Sequence, residues 1–448
     1  MQSPENARQI AEALVERGIA AGASAADALY IAEQSSGVQV RLGKIDSLGA
    51  SEGEEIGLRL FVGQRSATAA SSDLSDDSLA TLVERCLAMA KEAPEDPYAG
   101  LAPSELLHRG PLPDLDSLDA SQPTPEELKA RALEAENAAL AVEGITNSSG
   151  AGASASATTV ALATSGGFSG AYRSSAHSCS AVVVAGEGAA MHRDHASHST
   201  RHLEDLDPAA EIGRLAGERA AKRLNSTRPR AGKYPVLFDP RISSTLLGQF
   251  AGAISGSSIA RKTSFLQDKL GARVFAPGIT LVDDPLRRRG LRSRAFDGEG
   301  LSVACRELVS GGVLNQWIAE SASARQLGIP PTGHATRGVG GAPSASPSNF
   351  YMEAGARTRA ELLDAYPEAV LVVELIGRGG NPVTGDYSCG AFGFMVRGGE
   401  IAEPVSEITI ASNLIDMFAT LEPASDLEFR RGIDAPTILI PEMTVAAA

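Results

Sequence analysis

Aromatic residues are scarce in this chain, 4% of 448 residues with one tryptophan, so ring stacking cannot carry the core. Ala, Leu, Val and Ile must supply it, within a hydrophobic share of 43%. Cysteine is scarce too. The four cysteines at 86, 179, 305 and 389 show no paired or metal-like spacing, which excludes a disulfide framework and suits reduced thiols in a cytosol. Long apolar runs are missing: residues 180–191 are broken by Gly186, Glu187 and Gly188, well short of the ~20 residues a bilayer-crossing helix needs. Positive charge is short as well. A formal net charge of −15 opposes a phosphate backbone, and the one basic run, Arg287-Arg288-Arg289 with Arg292 and Arg294, is brief and follows Asp283 and Asp284. Neither nucleic acid nor membrane is expected as a partner. The N-terminus passes from Ser3-Pro4-Glu5 into an amphipathic stretch with Ile10, Leu14 and Val15 instead of a basic start and an apolar run, so no export signal is read and a cytoplasmic location is expected.

What is present is enough chain for two cores. The expected class is α+β: an N-terminal domain, 1–228, of mixed helices and antiparallel strands, and a β-rich C-terminal domain, 229–448. Residues 1–22 read as a helix with Ser3 as cap and Pro4 at its first position. Residues 28–73 alternate like strands. Ser75 is placed to cap a second helix whose stripe is Leu79, Leu82, Val83, Cys86, Leu87 and Ala90. Between 94 and 125 lie seven prolines, which predict an extended surface connection. Thr124-Pro125-Glu126-Glu127 then opens a helix with a capping box, strand-like stretches run to Thr200, and Asp207 with Pro208 begins a further helix. The order helix, strands, helix thus occurs twice. Internal duplication is one explanation and coincidence of pattern is the other.

Residues 225–233 read as a linker, and Asp239-Pro240 starts a helix whose apolar face is Ile242, Leu246, Phe250 and Ile254. Beyond it the chain reads as short strands, glycine-rich turns and a Ser/Pro/Gly loop at 338–348. Gly398-Gly399 predicts a tight hairpin between strands 392–397 and 400–405.

Several clusters invite chemistry. His192, His195, His198 and His202 would share roughly one third of a helix circumference, yet the segment reads better as a strand. There His195 takes the opposite face and the other three spread over ~33 Å, too far for one ion. Cys389, after Ser388 in a glycine-flanked turn, could be a nucleophile only with an imidazole the sequence does not name, and a compact buried thiol is the simpler reading. Asp283-Asp284 and Asp297-Gly298-Glu299 could pair as acid and base, but beside Pro285 and Gly298 they read as turn formers. Ser255-Gly256-Ser257-Ser258 and Gly377-Arg378-Gly379-Gly380 lack the strand, spacing and lysine of a nucleotide loop.

Taken together, Lys262-Thr263-Ser264-Phe265-Leu266, Val282-Asp283-Asp284-Pro285, Arg289-Gly290-Leu291, Phe296-Asp297-Gly298-Glu299-Gly300, residues 381–388 and Ile408-Thr409-Ile410-Ala411 resemble the TldD/PmbA family, once called modulators of DNA gyrase. The 381–394 stretch is most similar to the PmbA branch, also called TldE. In that family the TldD-type subunit carries His-Glu-x-x-x-His and a late cysteine around a zinc that activates water for peptide hydrolysis. Laid on this sequence, the motif falls on 248–253, where Gly248 and Ala253 stand at the histidine positions and Gln249 at the glutamate; residues 429–441 hold no thiol. The resemblance therefore implies no catalytic or metal-binding residue in this chain, with zinc in a TldD-type partner.

The implied protein is a PmbA/TldE-type subunit of a heteromeric metallopeptidase acting on unfolded or extended peptides, among them precursors of ribosomally made peptide antibiotics and labile antitoxins. Pairing with a second copy of itself stays open when the chain is alone. Asn381, Thr384, Asp386, Tyr387 and Ser388 are the candidates for chamber-facing polar residues; the same residues also suit tight turns before the strand at 391–396. A non-enzymatic regulator of a toxin system or topoisomerase is a second reading, and a self-sufficient hydrolase using the histidines or Cys389 a third.

Overall fold

The computed structural model describes residues 2–377 and 379–447. Helix α1 (Pro4–Ala20) starts as its sequence dictates: Ser3 Oγ accepts the Asn6 N–H at 3.2 Å, and proline occupies the first turn, where a missing N–H costs nothing. Strands β1 (Ala25–Arg41), β2 (Lys44–Val62) and β3 (Arg65–Ser71) follow, then α2 (Asp76–Glu92). Ser75 lies at the α2 cap without accepting a helix N–H; its own N–H goes to Asp73. The order repeats with α3 (Pro125–Leu140), β4 (Ile145–Thr164), β5 (Ser169–Ala185), β6 (His192–Thr200) and α4 (Ala209–Ala221). The Thr124–Glu127 capping box is complete. At α4 the expected cap differs: Pro208 holds the cap position, while the Asp207 carboxylate turns to Arg430 and the His198 ring.

All six strands form one antiparallel sheet in the order β3-β2-β1-β4-β5-β6. The two repeats meet at β1 and β4, so the order mirrors about that central pair, an arrangement that fits duplication of a helix–strands–helix unit. Strand alternation then separates two faces. Ala26, Ala28, Tyr30, Val38 and Val40 of β1 point at the four helices. Leu29 and Ile31 point the other way, into a smaller core with Ala102, Leu107 and Leu115 from the proline-rich connection and with Phe296 and Leu301 from the second half of the chain. The connection is extended, as expected, but it is more than a surface strap because it buries those three side chains.

In the second half, β7 (Gly232–Phe238) pairs in parallel with Glu368–Ile376 and antiparallel with Ile438–Ala447. Asp386–Arg397 and Glu400–Asn413 continue the sheet, and Glu400–Asn413 also pairs with Ile438–Ala447, closing five strands into a barrel. The hairpin turn sits at Gly398 and Gly399, both with positive φ, where a side chain would be strained. Helix α5 (Pro240–Ala253) packs its apolar stripe beside the barrel: Leu246 and Phe250 join Val236, Phe238, Val370 and Ile410 in one core. No described helix is long and apolar enough to cross a membrane.

Candidate functional site

Burial of one stripe of α5 fixes what its opposite stripe must do. Asp239 caps the helix by accepting the Arg241 N–H at 3.0 Å. Ile242, Leu246 and Phe250 face inward, so Thr245, Gly248 and Gly252 are left exposed and Gln249 half-buried. Thr245 and Gln249 line a groove of about 900 Å³. Its other walls come from α4 (Leu215, Arg219), the β6 edge (Asp194, His195, Ser197), the barrel (Glu374, Tyr387) and the 426–435 segment. The groove thus runs between the sheet half and the barrel half.

Of the positions on which the resemblance lays the zinc motif, Gln249 lines the groove, Gly248 is exposed beside it and Ala253 is buried, and their chemistry does not fit a metal. A Cβ added at Gly248 would meet open space, so the position has room but no ligand atom. Gln249 offers a neutral amide in place of a carboxylate, and Ala253 is 2% exposed, its methyl in the core. Of the two cysteines nearest this half, Cys305 is exposed, and Cys389 is buried with Sγ against the Ile376 carbonyl at 3.2 Å. Burial pushes the Cys389 thiol up, away from the thiolate a ligand or nucleophile needs. Among the described residues no three His, Cys, Asp or Glu side chains converge as a metal site requires.

The five chamber candidates separate. Asn381 Oδ1 accepts the Val383 and Thr384 N–H groups at 2.9 and 3.3 Å; Thr384 Oγ1 donates to Asp386 at 2.7 Å; Asn413 donates to Asp386 Oδ1 at 3.3 Å. These three residues bond to their own turn and its neighbour, and Ser388 is exposed beyond it. Only Tyr387, 3% exposed, lines the groove, and burial holds its hydroxyl above the usual tyrosine range.

Apart from His195, which lines the groove, the other clusters make hydrogen bonds within the fold. His198 Nδ1 accepts the Asp207 N–H at 3.1 Å, His202 lies 2.9 Å from the Asp116 carbonyl, and His195 is exposed. Asp283 accepts Ser348 Oγ at 2.9 Å and pairs with His334 at 3.3 Å. Asp297 accepts three backbone N–H groups, and Glu299 accepts Ser321 Oγ at 2.7 Å. Burial, and then the Asp297 charge, raise the Glu299 carboxyl to about 7. Ser255 caps a five-residue helix, Gly256–Ala260, while Arg378 lies outside the described residues.

The groove's most charged feature escaped the sequence reading. Asp194 is held by Arg223 and Arg241, each at 3.0 Å; Arg359 reaches Asp239 at 3.0 Å; Glu374 meets Arg223. Every groove carboxylate is engaged, Asp426 by Thr437, Asp434 by backbone N–H groups and Glu428 by Arg430 at 3.6 Å. Arg219 has no carboxylate partner among the described residues and bonds only the His195 carbonyl, at 3.1 Å. The signal was in the spacing of Leu215, Arg219 and Lys222, one stripe of α4.

The comparisons cover both halves. Residues 231–447 match the PmbA/TldA metallopeptidase C-terminal domain, 118–224 its central domain and 26–90 its domain 1. Metalloprotease PmbA from Escherichia coli O157:H7 is 34% identical over 447 residues, 99% of this chain and 97% of that protein. A PmbA homolog from Haemophilus influenzae is 35% identical over 98% of this chain and 96% of its own length. Among solved structures, a candidate modulator of DNA gyrase from Bacteroides thetaiotaomicron superposes with a TM-score of 0.92 at 26% identity, covering 100% of both chains. TldE from Thermococcus kodakarensis shares the fold, with a TM-score of 0.86 at 19% identity over 98% of this chain and 100% of its own. A metallopeptidase lineage is the class that fold and domain matches define. The chain belongs to the PmbA/TldD family.

Proposed function

We propose that this chain is the PmbA/TldE-type subunit of a heteromeric zinc metallopeptidase, in the cytoplasm, in which it supplies walls of the substrate chamber and a TldD-type partner supplies the zinc. Its units are residues 1–228 and 229–448. The carrying observation is α5 itself: Thr245 and Gln249 of its exposed face line the groove, and Gly248, Gln249 and Ala253, on which the resemblance lays the zinc motif, carry no imidazole or carboxylate. A chain with that face can bind and position but has nothing there to activate water.

Substrates are unfolded or extended peptides, and the groove suits them. Its walls mix aliphatic side chains, from the buried Val373 to the exposed Leu215, with fixed charges. Of the residues at 381–388, Tyr387 contacts the chamber; Asn381, Thr384, Asp386 and Ser388 hold or flank the turn that places it.

Co-expression with the TldD-type chain of the same organism tests this. A stable pair whose zinc and chelator-sensitive cleavage of an unstructured peptide depend on the partner's His-Glu-x-x-x-His is expected. Chelator-sensitive cleavage by this chain alone, or no pair, would overturn the reading.

A further inference from the structure

Beside the α5 groove, and sharing Arg219, Arg241, Leu215 and Val373 with it, lies a pocket of about 500 Å³ between α4 and the outer side of the barrel. Its floor is apolar. Val373 and Phe392 are nearly buried, Phe394 is half-buried and Ile401 is 50% exposed, with Leu215 completing the wall from α4. Arg219 on α4 and Lys222 at its C-cap stand over this floor, about one helical turn apart. Neither pairs with a carboxylate among the described residues, whereas the two acids that also line this pocket, Asp194 and Asp239, are held by Arg223, Arg241 and Arg359.

We propose that this pocket binds a carboxylate flanked by a large apolar side chain, the carboxylate on Arg219 with Lys222 beside it and the side chain on Val373, Phe392, Phe394 and Ile401. Two peptide features offer that chemistry: the C-terminal carboxylate after a large apolar last residue, and an internal Asp or Glu next to one. The inference rests on the groove being a peptide-binding wall and adds which peptides it selects. Charge supports it from a second side. Burial, and then the neighbouring Arg241 charge, pull the Arg219 guanidinium down to about 10, a strain that an incoming anion relieves. A guanidinium also grips a carboxylate through two parallel hydrogen bonds, so the group is suited to the task in shape as well as sign.

The test uses the full chain by itself, so it does not depend on pairing, which co-purification reports separately. Binding of fluorescein-labelled Gly/Ser peptides is measured by anisotropy in four forms: ending in Phe with a free carboxylate, the same amidated, ending in Gly with a free carboxylate, and amidated with an internal Phe-Asp. The free Phe acid should bind at least about tenfold tighter than its amide and than the Gly acid. Arg219→Met should remove that difference, Arg219→Lys should restore part of it, and the exposed Lys222→Gln should weaken it severalfold; unchanged circular dichroism shows that the variants are folded. An internal Phe-Asp amide binding as well as the free acid assigns the carboxylate to an acidic side chain, and weak binding of that peptide assigns it to the chain terminus. Equal binding of acid and amide forms, discrimination that survives Arg219→Met, or no binding by any peptide would overturn the proposal.

Discussion

The N-terminal sheet meets the second half of the chain along its open face and along its β6 edge. At the open face, Asp27 is 1% exposed and receives Arg337 at 2.6 Å and Arg59 Nε at 3.0 Å, while Arg325 bonds the Tyr98 carbonyl at 2.7 Å and Phe168 meets Phe296 edge-on at 4.8 Å. At the β6 edge lie the open groove and the pocket beside it, where Arg219 and Lys222 pair with no carboxylate among the described residues. Both places are rich in arginine. A buried charge must be paired, so the first set locks the halves together; a cation left partly solvated and unpaired is free to meet a ligand.

The comparison breaks most visibly at Asp27. Asp27→Ala removes the buried carboxylate that both Arg59 and Arg337 bond and should cost about 3–5 kcal/mol in urea unfolding; a loss near zero would mean the seam does not hold the halves. Although burial pushes the Asp27 carboxyl up, Arg337 and Arg59 hold it below its ordinary value. Its contribution is therefore present above the unfolded pKa and lost as pH falls through the folded one.

Glu299, behind the same seam, has the opposite sign. Its carboxyl is raised from 4.5 to about 7, so stability is fully present below about 4.5 and is lost as pH rises through about 7, by on the order of 2–3 kcal/mol. Glu299→Gln should flatten that stretch of the stability–pH curve, and an unchanged slope would exclude Glu299 as its source.

A smaller loss, about 1–2 kcal/mol, is expected of Asn381→Ala and Asp386→Ala, because each removes bonds that close an exposed turn. Cleavage per folded pair should hold, and a fall in cleavage without loss of stability would put these residues in the chamber. Gln249→Ala reverses the pattern. The KM of the reconstituted pair for peptide should rise, and an unchanged KM would take Gln249 off the chamber wall.

Much of the fold was legible because it is local. Ser3-Pro4 and the Thr124–Glu127 box place their helix starts, Gly398-Gly399 places its hairpin, and the repeated order of helix and strands anticipates a sheet that mirrors about β1 and β4. Asp207 misled because a long-range partner, Arg430, outbid the cap. The barrel's closure and the groove were not legible, since both depend on pairings between segments far apart in the chain, such as Glu400–Asn413 with Ile438–Ala447. For the site, 248–253 showed Gly248, Gln249 and Ala253 where the resemblance lays the zinc motif. The 381–388 turn showed its polarity but not that this polarity is already hydrogen-bonded, and the spacing of Leu215, Arg219 and Lys222 marked a stripe but not that the acids around Arg219 are engaged by other arginines.

The most direct test is zinc content per chain, measured on the purified protein after exhaustive dialysis. No stoichiometric zinc is expected in this chain alone, and one per pair once a TldD-type partner is present. One tightly held zinc liganded only by this polypeptide would contradict the division of labour.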